Sequence, residues 1–161
     1  MLIALSATGW YSDPSPWEKP RWGLDRREVQ ALVSGTRVPA TTVLQGVFGQ
    51  QLGLEADATL SGMPVIARYY FTAGGGLAVI KLVPGDGSQC EAFRRAAIRS
   101  FGMDFRAETQ PAEVPSDMGA IRRIWTSDRR IVRHVDISGV PWLKERCNLT
   151  IHAPDLDPLG S

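Results

Sequence analysis

Two histidines and one aspartate near the C-terminal end are the side chains best suited to chemistry. His134 and Asp136 lie two residues apart, and His152 follows further along the chain. A histidine beside a carboxylate can act as a general acid or base, and two histidines can supply part of a metal site. This candidate arrangement would suit a hydrolase or an isomerase.

Whether these side chains meet depends on how the last two predicted strands pair. Placing Ile137 opposite Cys147 sets apolar residues against each other on one face. The alternate residues then share the other, polar face; they are His134, Asp136, Asn148, Thr150 and His152. The competing interpretation is a solvated face, which antiparallel sheets commonly have. No serine or cysteine nucleophile lies beside this group in the sequence, and two histidines without a further ligand at diagnostic spacing make a poor metal site. We therefore predict neither a catalytic residue nor a metal site.

The two cysteines, Cys90 and Cys147, are predicted to form a disulfide. Cys90 lies on the apolar stripe of a predicted helix, and Cys147 lies on the core face of the last strand in the register above. Both side chains then point into the same layer, as a disulfide requires. Two buried free thiols are the alternative. Disulfides persist mainly in exported proteins, so the pairing favours an oxidising compartment.

Arginine and tryptophan side chains cluster in the C-terminal third, and both residue types are favoured at interface hot spots. The candidate partner-binding residues are Arg123, Trp125, Arg130, Arg133 and Trp142. The alternative is that these arginines simply occupy the exposed side of strands.

Composition excludes several classes of protein. Apolar residues make up 43% of the 161 residues, and the net charge is +1. Such a balance gives no field that would draw the molecule to nucleic acid or to an acidic membrane. No apolar run approaches the roughly 18 residues that span a bilayer. The glycines at 74–76 lie between two predicted strands and open no helix, so they indicate a hairpin turn and no cofactor.

Helix and strand signals predict an α+β fold. Asp25 and Glu28 form a capping box before a first helix, and Ser88 and Glu91 repeat that signature before a second. Alternating apolar residues predict three strands after each helix. The predicted order is α-βββ-α-βββ, with two helices packed on one face of a mainly antiparallel sheet. The matching halves suggest an internal duplication.

Domain boundaries follow from the same signals. Residues 1–22 form an N-terminal arm rich in proline and tryptophan, and its first seven residues read either as the end of a signal peptide or as an N-terminal strand. Residues 23–153 are predicted to form a single α+β domain. Residues 154–161 are predicted to be a flexible tail.

The run from Trp22 to Val29 resembles the "Trp-Gly-Met-Thr-x-x-Glu-Val" opening of small exported bacterial α+β domains. Gly62-Met63-Pro64, Tyr70-Phe71 and Phe101-Gly102 are similar to later motifs of those domains, so the resemblance spans roughly residues 22–102. The families are the SmpA/OmlA outer-membrane lipoproteins and the β-lactamase-inhibitor-like fold. The resemblance implies protein binding without catalysis. The cysteine that carries the lipid of such lipoproteins is absent near the start, and no functional residue carries over.

Together these patterns predict a non-catalytic exported domain of the periplasm or secreted fraction that binds an unknown protein partner, without nucleic acid or cofactor. A cytoplasmic location is the alternative. The rival functions are a small-ligand carrier, with its ligand between sheet and helices, and an enzyme using the His134, Asp136 and His152 face.

Overall fold

The computed structural model describes residues 15–40, 47, 49–109, 121–137 and 145–156. Two helices are present in this part of the chain, α1 (Arg26–Leu32) and α2 (Cys90–Phe101), with single 3₁₀ turns at Pro16–Glu18 and Gly87–Gln89. The strands are β1 (Gln51–Leu60), β2 (Met63–Phe71), β3 (Leu77–Pro84), β4 (Arg106–Thr109), β5 (Ile121–Thr126), β6 (Ile131–Asp136) and β7 (Cys147–His152).

The strands form one antiparallel sheet in the order β1-β2-β3-β7-β6-β5-β4. Two meanders therefore join through the last strand of each, β3 and β7. Side chains of both helices enter the same buried cluster on one face of this sheet, which confirms the predicted α+β class. We call that face the helix face and the opposite face the helix-free face.

The predicted order of elements is wrong in one place, because four strands rather than three follow α2 in the described part of the chain. The additional strand β4 lies between α2 and the first of the three predicted strands. It occupies the sheet edge and pairs with β5 through its backbone. Arg106 and Glu108 place charged side chains on this strand, and charges on an edge strand oppose pairing with another chain. The strand was not predicted because it lacks the alternating apolar residues that identify a strand in the sequence.

The first helix begins where its capping box predicts. The Asp25 carboxylate accepts a hydrogen bond from the Glu28 amide at 2.9 Å, and the Glu28 carboxylate accepts one from the Asp25 amide at 2.7 Å. The second capping box is wrong. Asp86 instead caps the preceding 3₁₀ turn by accepting from the Ser88 amide at 3.0 Å, and α2 begins three residues after that turn opens.

The predicted pairing of Cys90 and Cys147 agrees with the structure, in which the two residues form a disulfide with Cα atoms 5.6 Å apart. Both cysteines are buried in the main core. The bond ties the first turn of α2 to the central strand β7, so it fixes the helix against the middle of the sheet.

The described part of the N-terminal arm packs on the body. Trp17 is 5% exposed, and its indole nitrogen donates a hydrogen bond to the Thr59 carbonyl oxygen at 2.8 Å. The rest of the arm, Trp142 and most of the predicted C-terminal tail lie outside the described residues. The internal duplication stays a prediction. In each half, residues that follow the helix pair with a strand: Arg37, after α1, pairs with Glu55 of β1, and β4, after α2, pairs with β5.

Candidate binding groove

The predicted polar face does not exist as such, because β6 and β7 pair one residue away from the predicted register. Asp136 lies opposite Cys147, and His134 lies opposite Leu149. His134 and Asp136 therefore lie on the helix face, whereas His152 lies on the helix-free face. A shift of one residue moves every side chain of a strand to the other face, and β6 has apolar residues on both faces, so its pattern did not fix the register.

His134 lies in a buried polar cluster beneath α2. Its ring is 5.7 Å from that of Phe93, and its Nδ1 is 3.4 Å from a guanidinium nitrogen of Arg123. Burial and the charges of Arg123 and Arg94 together lower the pKa of His134 to about 4, while Asp136 opposes these effects. At neutral pH the imidazole is uncharged.

This cluster does not present an acid–base pair to a substrate. Neither His134 nor His152 has exposed surface, and Asp136 is buried as well. The two imidazoles also lie on opposite faces of the sheet, because the register separates them. Within the described residues, no group of three or more histidine, cysteine, aspartate or glutamate side chains could hold a metal ion.

The five predicted partner-binding residues do not share one surface. Arg123 is buried beneath α2, and Trp125 is buried beside Phe101 and donates to the Gly102 carbonyl oxygen at 3.0 Å. Arg133 lies on the helix-free face, opposite Thr150 of β7. Trp142 lies outside the described residues. Of the predicted set, Trp125 and Arg130 line a hollow on the helix side, and Arg130 also lines a second hollow beside it.

Arg130 lies against a pair of aromatic rings, Trp17 and Phe101, whose centroids are 5.9 Å apart. Its guanidinium carbon is 5.2 Å from the centroid of Phe101 and 5.8 Å from that of Trp17. Cation–π attraction to both rings favours this one position of the charge. The side chain also lines two adjoining hollows, of about 750 Å³ and about 300 Å³.

The larger hollow lies between the arm and the β5–β6 turn. Ile80 and Ile151 form its apolar base, and Trp17 and Trp22 stand on the arm side. The Trp22 indole nitrogen donates to the Arg129 carbonyl oxygen at 3.2 Å, which ties the arm to the turn. We call the two hollows together the tryptophan–arginine groove.

The larger hollow carries a small excess of positive charge. Its described lining includes Arg21, Arg129 and Arg130 against Glu18 and Asp128. Arg129 is exposed, as is Arg21, so both are available to a bound molecule. The arrangement can bind an apolar side chain on the base and an anionic group at the rim.

Comparison with protein-family models, with curated proteins and with solved structures finds no match to this chain. In the described part of the chain, no helix combines the length and the apolar character that a membrane crossing needs.

Proposed function

We propose that this chain is a non-catalytic binding domain that takes a segment of a protein partner in the tryptophan–arginine groove. The observation that carries the proposal is the position of Arg130, whose guanidinium lies against the adjoining rings of Trp17 and Phe101 where the two hollows meet. Arginine and tryptophan in such well-packed positions are the residues that contribute most to protein interfaces.

The shape of the groove and the charge of its larger hollow favour a protein segment with an acidic side chain. Asp104 lines the smaller hollow, so the small positive excess belongs to the larger hollow alone. Both hollows are open to solvent and adjoin at Arg130, so together they form an elongated surface. A small-molecule site, by contrast, buries most of its ligand. The positive rim complements an acidic group, and the isoleucine base complements an apolar side chain beside it.

Export to the periplasm or to the extracellular medium is part of the proposal. It is supported by the disulfide between Cys90 and Cys147, since structural disulfides persist in oxidising compartments. The resemblance to the SmpA/OmlA lipoproteins and the β-lactamase-inhibitor-like fold points the same way and remains a proposal. Acid trapping of thiols in host cells, followed by alkylation of the denatured protein, tests it: the native protein should gain no label, and two labels per chain would contradict export.

Site-specific photo-cross-linking tests the groove. A photoreactive residue at position 129, at the rim, should capture one discrete protein in host cells. The same residue at position 99, which is exposed on α2, serves as the matched control. The captured band should disappear when Arg130→Gln is added to the position-129 variant. Equal capture from both positions, or a band that persists with Arg130→Gln, would contradict the proposal.

A small-ligand carrier is the second candidate, because the hollow of about 750 Å³ has a volume typical of small-molecule sites. Native mass spectrometry of freshly purified protein distinguishes the two functions. A carrier would show a constant added mass that Ile151→Trp removes, whereas the partner-binding domain should show the mass of the bare chain.

A further inference from the structure

The helix-free face carries a row of side chains that crosses the whole sheet. The strand pairings align one residue from each strand in this row: Glu55, Arg68, Lys81, Thr150, Arg133, Ile124 and Arg106. Four of the seven are cationic and one is acidic. Since adjacent strands lie about 4.8 Å apart, this register concentrates positive charge in a narrow band.

A hollow of about 290 Å³ lies over the centre of that row. Lys81, Arg122 and Arg133 line it from three different strands, and Asn148 and Thr150 add an amide and a hydroxyl from β7. Among the described residues that line it, none is acidic. Three cations and two neutral hydrogen-bonding groups therefore surround one small volume, together with Val47 and Val135.

Two of the three lining cations are paired with carboxylates beside the hollow. Glu145 contacts Lys81, lies 3.4 Å from Arg68, and accepts a hydrogen bond from the Asn148 amide at 3.1 Å. Glu108 is 3.7 Å from Arg122. These contacts fix the positions of Lys81, Arg122 and Asn148 before any ligand arrives, which lowers the entropic cost of binding.

We propose that this hollow is a binding site for a small multivalent oxyanion, such as the phosphate group of a soluble molecule. The two guanidinium groups can each bind an oxyanion with two hydrogen bonds, and the ammonium supplies a third charge. The site lies on the opposite face of the sheet from the tryptophan–arginine groove, so it is independent of the proposed partner.

Titration of the full chain with inorganic phosphate, at ionic strength matched with sodium chloride, tests the site. Calorimetry should show saturable binding that chloride does not reproduce. Arg122→Gln and Arg133→Gln should each weaken it by about tenfold, because a charge-assisted hydrogen bond is lost. Arg99→Gln, on the exposed surface of α2, and Arg130→Gln, in the groove, should leave it unchanged.

Loss of phosphate binding in Arg130→Gln, or equal binding in all four variants, would overturn the assignment. So would a wild-type response no larger than that to chloride. NMR titration of the wild-type protein gives a check that needs no variant: the Asn148 side-chain amide and the Thr150 backbone amide should shift with the same saturation curve. Shifts confined to other residues would refute the site even if calorimetry detected binding.

Discussion

Acidification should destabilise the fold through His134. The group has a pKa near 6.5 in an unfolded chain and about 4 in the folded protein, because burial and Arg123 disfavour its charged form. The folded-state pKa is lowered, so the unfolded state binds the extra proton between those two values. Stability contributed by the neutral imidazole is therefore complete above pH 6.5 and is lost as the pH falls towards 4.

The magnitude follows from the gap between the two pKa values. Each pH unit of difference corresponds to about 1.4 kcal/mol, so the loss in the free energy of unfolding should reach about 3 kcal/mol at pH 4. Such a loss is a large fraction of the stability of an ordinary domain. Arg94 and Asp136 also face the group, from α2 and from β6 itself, and their opposing charges are included in the lowered pKa.

Urea unfolding measured from pH 7.5 to pH 4 gives the required assay. The native protein should lose stability steadily below pH 6.5, while His134→Gln should lose about 3 kcal/mol less over the same range. The difference between the two proteins removes the contribution of other titrating groups, such as buried His152. Parallel pH profiles for the two proteins would refute the assignment of a neutral, buried imidazole.

Two further predictions concern packing and the cross-link. Gly53→Ala should destabilise the fold by about 1–3 kcal/mol, because an added Cβ would approach the ring of Phe71 to 2.6 Å. Gly85→Ala is the control, since a Cβ there meets nothing within 4 Å and should be neutral. Equal effects of the two variants in chemical denaturation would contradict this packing. Replacing Cys90 and Cys147 together by alanine should cost about 2–4 kcal/mol, because the bond closes a loop of 57 residues; a change below about 1 kcal/mol would show that the bond contributes little.

Local signals predicted much of the fold. The reciprocal bonds of Asp25 and Glu28 lie within four residues, so the sequence contains everything needed to place the start of α1. The disulfide was predicted because each cysteine lies on a core position of its own element. That inference survived the wrong register, since Cys147 faces the core whether Asp136 or Ile137 lies opposite it.

The candidate groove depends on contacts that local patterns do not encode. Trp22 and Arg129 are 107 residues apart, and the hydrogen bond that joins them sets one wall of the groove. No local pattern links the tryptophans of the arm to the arginines of the β5–β6 turn. The faces of β6 could not be predicted either, because Ile131 and Val135 lie on one face and Val132 on the other.

The central claim is that partner binding takes place on the helix side of the sheet, at Arg130. The most direct measurement is the dissociation constant for the protein captured at position 129, determined for Arg130→Gln and for Arg133→Gln. Each variant removes one positive charge, and the two positions lie three residues apart on opposite faces of the sheet. Arg130→Gln should weaken binding at least tenfold, and Arg133→Gln should leave it unchanged. Equal weakening by both variants, or weakening by Arg133→Gln alone, would contradict the account.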